Sequence, residues 1–417
     1  MKKSIVILLV ISMLFVFSTT GMAETEVRFA GGAGIDLLIV EELINRFVIP
    51  ELAVQGIKVI YEPIVGDLDP ILTNALSAGT AADLFYAGPS WAVTMFEAGQ
   101  IEPLDNYLAK SAVISKDDII PSLLDAYISD DGKVCGIPKD FNSLALFYNK
   151  DFFDIAGVAY PDEGDTWDDL ENKLSKIVKR FGGEVAGIAL APDFARFGAI
   201  AYAAGWEPLV EGKTNLMDPA FKEAFNWYVG LKEKGLGVMP ADVGQGWNGG
   251  AFAIEKVAVA FEGGWILGFL RDEAPNLRYG ATLLPKNPRT GQRGNFVYIG
   301  GYAINAKSKN KDAAFKVMEV LTSPAAQQWI LERGLAIPSR KALADNPYFE
   351  KDTPEAQANK TVFLGASAGN IKPFKFKEYG TQWMDPINVA LSEVMSGQKT
   401  VDEALEMAQE QLNELMK

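Results

Sequence analysis

Ala82–Leu104 reads ADLFYAGPSWAVTMFEAGQIEPL. Its first six residues, Ala82–Ala87, are a short and mostly apolar run, the pattern of a strand buried on both faces. Gly88-Pro89 ends that run, and a proline suits the first turn of a helix because its missing N–H would be unpaired there anyway. Pro89–Ala98 then reads as a helix, closed by Gly99, since glycine tolerates the left-handed conformation of a helix cap. The preceding chain has the same grammar. Glu26–Ala30 (EVRFA) reads as a strand, Gly31–Gly34 as a loop and Ile35–Phe47 as a helix. Ile57–Glu62 is a second strand and Leu68–Ser77 a second helix, with Gly56 and Gly79 as caps. Strands alternating with helices predict βαβ units and a mostly parallel sheet flanked by helices.

Farther along, Leu144–Tyr148, Val185–Leu190, Val257–Phe261, Tyr279–Leu284 and Tyr302–Asn305 read as strands. Pro219–Lys234 carries Phe221, Ala224, Phe225, Tyr228 and Leu231 on one helical face. Thr166 with Asp169, and Thr400 with Glu403, have capping-box spacing, and Ser323-Pro324 starts a further helix. A chain of 417 residues exceeds one compact core. No repeat, low-complexity tract or long linker appears, so two α/β units joined by short crossings are expected, with a cleft between them.

The start of the chain reads as an export signal. Met1-Lys2-Lys3 is basic, Ser4–Phe17 is apolar, and Gly21-Met22-Ala23 places small residues before a cut after Ala23. The apolar run is short for a membrane span of about 20 residues. No cysteine lies at the cut to carry a lipid, and no later stretch is apolar for long enough to span a bilayer. A protein outside the cytoplasm, most simply periplasmic and monomeric, is expected.

Composition removes many chemistries. There is no histidine, which excludes histidine-based triads, histidine general bases and most zinc sites. Cys135 is the single cysteine, so no intramolecular disulfide forms. A net charge of −15 argues against nucleic acid and anionic lipid. The glycine stretches Gly31–Gly34, Gly244–Gly250 and Gly291–Gly301 match neither the phosphate-loop nor the dinucleotide pattern. The acidic cluster Asp162-Glu163-Gly164-Asp165 lacks calcium-loop spacing and reads as a solvated loop. No cofactor, metal site or catalytic residue is expected.

Tryptophan is the positive signal. Its flat apolar face stacks on the C–H faces of sugar rings and its N–H donates. Trp167, Trp227 and Trp329 read as core. Trp91, Trp247, Trp265 and Trp383 stand at element ends or beside glycines, and Trp206 follows Ala204-Gly205, so these five are candidate ligand contacts. Arg196 and Arg340 are the candidate cationic contacts.

Taken in order, Ala82–Leu104, Gly132–Phe153 (GKVCGIPKDFNSLALFYNKDFF), Thr166–Leu170 (TWDDL), Val257–Leu267 (VAVAFEGGWIL), Gly301–Ser308 (GYAINAKS) and Leu321–Gln328 (LTSPAAQQ) carry a resemblance across nearly the whole chain. The chain resembles the extracellular solute-binding proteins of ABC importers, in the sugar-binding group that includes maltose-binding proteins. The resemblance implies a two-lobed periplasmic binding protein (type II) fold. The signal peptide would be 1–23, the N-terminal lobe 24–141 plus 302–345, and the C-terminal lobe 142–301 plus 346–417. Asp140–Asn142 and Gly300-Gly301 would be chain crossings, with Asp140, Asn142 and Gly301 near ligand. Gly32–Asp36, Ser90-Trp91, Gly264-Trp265 and Trp383 would line the cleft. This chain departs from the family in two places. It has only small residues in the loop after the first strand, where an aromatic is usual, and Ser90 stands where many members carry an acid.

The function so implied is capture of a carbohydrate in the cleft and its delivery to the membrane permease subunits of an importer, without chemistry and without membrane insertion. An anionic or other polar solute, such as a glycerol phosphate, is the rival ligand class. A secreted glycan-degrading enzyme is the rival from another class.

Overall fold

The strands among the described residues are, in chain order, β1 (Thr25–Gly32), β2 (Ile57–Ile64), β3 (Leu84–Ala87), β4 (Ile137–Asn149), β5 (Ala186–Ala189), β6 (Gly237–Val238), β7 (Val257–Gly263), β8 (Tyr279–Thr282), β9 (Gly294–Ile304), β10 (Ile337–Pro338) and β11 (Asn370–Pro373). The computed structural model describes residues 24–33, 35–333, 336–374 and 376–417. The side chains of residues 35, 36, 38, 377 and 378 lie outside that description, as does the expected export segment 1–23.

The opening stretch gives β3, buried at all four positions between flanking helices, which is why it shows no polar alternation. β2, β1 and β3 form a parallel ladder in that spatial order. β9 then joins β3 antiparallel and carries the sheet to β4. β4 serves two ladders in succession. Ile137–Ser143 pairs with β9, whereas Leu144–Tyr148 pairs with β7. β8 covers the other edge of that second half, and β5 and β6 extend β7 in parallel. The pairings of β4 are all antiparallel, so the sheet is less uniformly parallel than the alternating pattern predicts. The reason is that β4 and β9 are long return strands rather than steps in a βαβ series.

Apolar side chains gather into two clusters. One centres on the β1–β3 ladder with Phe29, Phe85 and Val317. The other centres on Trp167, Phe194, Phe225 and Leu405. The helices Pro219–Glu233 and Val401–Leu415 bury the faces their periodicity marks, and both capping boxes form.

Four local readings differ. β4 runs from Ile137 to Asn149, well beyond the expected Leu144–Tyr148, because its first half finds a partner in β9. β1 extends through Gly31-Gly32, which were expected in a loop. The helix after β1 is α-helical over Ile35–Leu43 and widens to a π turn at Ile44–Val48, just before Pro50, which has no N–H to donate back. β9 is far longer than the expected Tyr302–Asn305, because Gly294, Gly300 and Gly301 lower its apparent strand propensity.

Candidate functional site

A cavity of about 320 Å³ opens where β3 ends at Ala87. One wall is Asp69 with Gly88, Pro89, Ser90, Trp91 and Thr94; Tyr298 and Ile299 of β9 lie beneath; Phe374, Phe376, Gly380 and Thr381 form the other wall. Pockets beyond the carboxyl ends of parallel strands are the usual ligand sites of α/β sheets.

The first wall is held by a short relay. Trp91 Nε1 donates to Thr73 Oγ1 at 2.8 Å, and Thr73 Oγ1 donates to the Asp69 carbonyl at 2.7 Å. This ties the helix Leu68–Ala78 to the helix Pro89–Glu97. The latter begins at Gly88, which has no side chain to cap it. Its first-turn N–H groups at Ser90 and Trp91 have no intrahelical acceptor, and both residues line the cavity. The Asp69 carboxylate has no hydrogen-bond or ion-pair partner among the described residues. Burial, and then the charge of Asp67, push its pKa up to about 6.

The floor and the opposite wall are aromatic. Tyr298 lies 4.8 Å from Phe374 and Phe374 lies 5.2 Å from Phe376, centroid to centroid. The Tyr298 hydroxyl donates to the Ala195 carbonyl, so its ring rather than its hydroxyl faces outward. Trp265 meets Tyr298 edge-on at 5.1 Å and donates its indole N–H to Glu262 at 2.6 Å. Glu262 is fully buried and receives Arg196 through both oxygens, at 3.0 and 2.8 Å. Asp193 lies 3.5 Å from the same guanidinium. Burial raises the pKa of Glu262, an effect only partly offset by Arg196. Burial lowers that of Arg196, but Glu262 and Asp193 more than reverse this and hold it charged.

Ser90 and Trp91 line the cavity, as does the helix start on which they stand. Four candidate contacts fall elsewhere. Trp383 is 0% exposed, donates to Thr214 Oγ1 at 2.9 Å and stacks on Phe376 at 4.5 Å, so it supports the wall from behind. Trp206 is buried beside it, with its N–H on the Asn215 carbonyl. Arg340 is buried and bonds the carbonyls of Thr322 and Val113 together with Asp118, so it braces a helix end rather than a ligand. Gly301 is buried, and a Cβ there would sit 2.3 Å from the Tyr127 hydroxyl; close packing explains this glycine.

The remaining candidates are not among the described residues that line the cavity. Gly264 starts the helix that carries Trp265, and a Cβ there would meet Asn142 Oδ1 at 2.6 Å. That Asn142 oxygen is buried and unpartnered. Asp140 is buried and paired with Lys139, whose ammonium lies 4.8 Å from the Tyr86 ring. The Gly32 carbonyl accepts from Tyr61 at 2.6 Å. Trp247 is half-buried and packs edge-on against Phe269 at 5.0 Å. The Asp36 side chain lies outside the described residues.

Asp69, Thr94, Tyr298, Phe374, Phe376 and Thr381 were not legible as site residues. Asp69 reads as one of two acids at a helix start, the ordinary complement to a helix dipole. The period-two pair Phe374 and Phe376 after Pro373 was the available signal for an aromatic edge. Among the described residues no group of three or more acidic or cysteine side chains is placed to hold a metal, and no helix is long and apolar enough to cross a membrane.

Comparison with known proteins gives concordant results. The model of a family described as bacterial extracellular solute-binding protein matches residues 51–359. A binding protein of Brucella abortus is 32% identical over 261 residues, which is 60% of this chain and 60% of the relative's own length. A galactooligosaccharide-binding protein of Bacillus subtilis is 24% identical over 378 residues, 85% of this chain and 81% of that one. An ABC substrate-binding protein from Listeria monocytogenes, solved in complex with cycloalternan, superposes with a TM-score of 0.83 at 22% identity, covering 94% of this chain and 99% of that chain. The last likeness establishes the fold.

Proposed function

Because the chain belongs to the bacterial extracellular solute-binding proteins, we propose that it is a carbohydrate receptor, taking a neutral mono- or oligosaccharide into this cavity and presenting it to the permease subunits of an ABC importer. The observation that carries the reading is the composition of the cavity. Four aromatic residues, Trp91, Tyr298, Phe374 and Phe376, line it. One carboxylate without a partner accepts, and the uncapped helix start at Ser90 donates. A sugar hydroxyl both donates and accepts, and its ring stacks on aromatic faces. The match to oligosaccharide-binding relatives supports the same class.

The glycerol phosphate rival is disfavoured because, among the described residues, no lysine or arginine lines the cavity, and Arg196 is already engaged by two carboxylates. The enzyme rival is disfavoured because, among the described residues, a single half-buried carboxylate lines the cavity and offers no acid–base pair. The lobes are 24–141 plus 302–345 and 142–301 plus 346–417; the change of partner along β4 supports this division. Export to the periplasm with a cut after Ala23, no lipid and a monomeric state complete the proposal.

A thermal-shift screen of mono- and oligosaccharides tests it, since a ligand that binds only the native state raises the melting temperature. Absence of any shift across the panel removes the carbohydrate assignment. Conversion of a sugar during the incubation favours the enzyme instead.

A further inference from the structure

Tyr298 lies beneath the cavity, and two helix starts grip it. Its hydroxyl donates to the Ala195 carbonyl, in the first turn of the helix Phe194–Ala203. Its ring meets Trp265, the first residue of the helix Trp265–Glu273, edge-on at 5.1 Å. Both grips end on one carboxylate. Glu262, next to last in β7, takes the Trp265 indole N–H on Oε2 at 2.6 Å. The same oxygen takes Nη2 of Arg196, the neighbour of Ala195, at 2.8 Å, and Oε1 takes that nitrogen at 3.0 Å. A Cβ on Gly263 would lie 2.4 Å from the Trp265 ring, so the glycine lets the indole fold back over the strand end toward Glu262. Asp193 accepts the Arg196 backbone N–H at 2.9 Å and lies 3.5 Å from its guanidinium, which keeps the side chain directed at Glu262.

This is not the arrangement that would serve the ion pair best. A guanidinium and a carboxylate bind most strongly as a fork of two nitrogens on two oxygens. Here one nitrogen spans both oxygens, and Arg196 Nε is buried without a partner among the described residues. Apolar residues of similar volume often hold such elements together at least as firmly. What they cannot supply is an acceptor at a fixed point in line with the indole N–H, and hydrogen bonds weaken steeply when misaligned.

We propose that Glu262 is a positioning residue of the binding site: by accepting from Arg196 and Trp265 on one oxygen, it sets the spacing of the two helix starts that hold the Tyr298 ring, and with it the plane on which a ligand ring stacks. The inference rests on the carbohydrate reading and adds to it the device that fixes the stacking surface. Tyr298 touches Phe374 at 4.8 Å between centroids, so a shift at Glu262 reaches both the floor and the aromatic wall. A surface held in place before the ligand arrives loses less freedom on binding, which is where a brace behind the site adds affinity.

The test separates positioning from stability. Wild type and variants of the full mature chain are compared by urea unfolding and by calorimetric titration with maltotriose, galactotriose and cellotriose. Glu262→Gln keeps an oxygen for the indole N–H and weakens the ion pair. It should be less stable than wild type and yet bind the probe within about threefold of wild-type affinity. Arg196→Met/Glu262→Leu removes the charges and the acceptor together. It should regain most of the lost stability and yet lose about tenfold in affinity, the scale of one aromatic contact. A pair that served stability alone would give the reverse order, with affinity following stability. A second readout needs no sugar. In protein labelled with 5-fluorotryptophan, the Trp265 line, assigned through Trp265→Phe, should hold its position in Glu262→Gln and shift in the double variant. Wild-type affinity in the double variant, an equal loss in Glu262→Gln, or a Trp265 line that does not move in the double variant overturns the proposal while leaving a carbohydrate receptor standing. If the double variant does not fold, Trp265→Phe decides, since it removes the N–H and leaves the ion pair; unchanged affinity there overturns the proposal. Failure of every probe to bind wild type removes the carbohydrate reading and this inference with it.

Discussion

Replacing Asp69 by Asn should make the ligand-free protein more stable, and the size of the gain follows from the site. The carboxyl pKa rises from 3.8 to about 6, first through burial and then through the charge of Asp67. Each unit corresponds to about 1.4 kcal/mol of preference for the protonated form in the folded state, so roughly 3 kcal/mol is the upper bound. Asp69 remains partly solvated, which reduces this to about 1–2 kcal/mol. Asparagine also forfeits the favourable interaction of an acid with the helix N-terminus, about 0.5 kcal/mol. Desolvation wins, and a net gain of about 1 kcal/mol is expected at pH 7–8. The sign with pH follows from linkage. The folded state holds the Asp69 proton more tightly than the unfolded chain does, so the wild-type penalty is full above about pH 6, shrinks as pH falls toward the unfolded value, and vanishes below it. The assay is urea unfolding of wild type and Asp69→Asn in parallel at pH 8, 6 and 4. A lead for the variant at pH 8 that closes by pH 4 is the expected result. In melting temperature the lead is only about 1–2 °C, because unfolding entropy scales with chain length. A variant less stable than wild type at pH 8, or a difference independent of pH, would refute the desolvated-carboxylate argument.

Trp383→Ala should cost about 3–5 kcal/mol in stability, the usual result of emptying a buried indole site, and chemical denaturation measures it. A variant as stable as wild type would move Trp383 out of the core. Glu262→Gln should destabilise by roughly 3 kcal/mol, because it leaves the Arg196 charge poorly compensated; the Arg196→Met/Glu262→Leu double variant should recover most of that loss, as apolar replacements of buried ion pairs often do. No recovery in the double variant would show that the indole hydrogen bond to Glu262, not the ion pair, carries the stability. Gly380 holds φ 55° and ψ −146°, and no atom of the described residues crowds its Cβ position, so Gly380→Ala probes backbone strain. A loss of about 1–3 kcal/mol is expected, and an unchanged unfolding midpoint would mean that the segment relaxes freely.

The fold was largely legible because its signals are local. Pro89 after Gly88, the capping boxes at Thr166 and Thr400, and the apolar stripe of Pro219–Glu233 each act within one or two turns of chain. What escaped were long-range effects. β9 is built through three glycines that a propensity argument reads as loop, and its strand state comes from pairing with β3, β4 and β11, all distant in sequence. The export segment, the Asp36 side chain and the exact limits of the lobes rest on sequence alone.

The site divides along the same line. Trp91 and Trp383 have similar sequence credentials, each near the end or start of a helix and close to a glycine. Their fates differ because of what other segments bring to them. Thr73 takes the Trp91 indole N–H and leaves part of the ring at the cavity wall. Thr214 takes the Trp383 N–H, while Phe376, Phe194 and Trp206 close over its faces. A tryptophan in a sequence therefore announces a large buried surface without saying whether protein or ligand covers it. Charge behaves likewise. Asp69 and Glu262 are both acids at the ends of elements, yet Glu262 meets Arg196 in the interior and becomes structural, whereas Asp69 meets no cation among the described residues. What separates a brace from a binding group here is whether the fold supplies the partner.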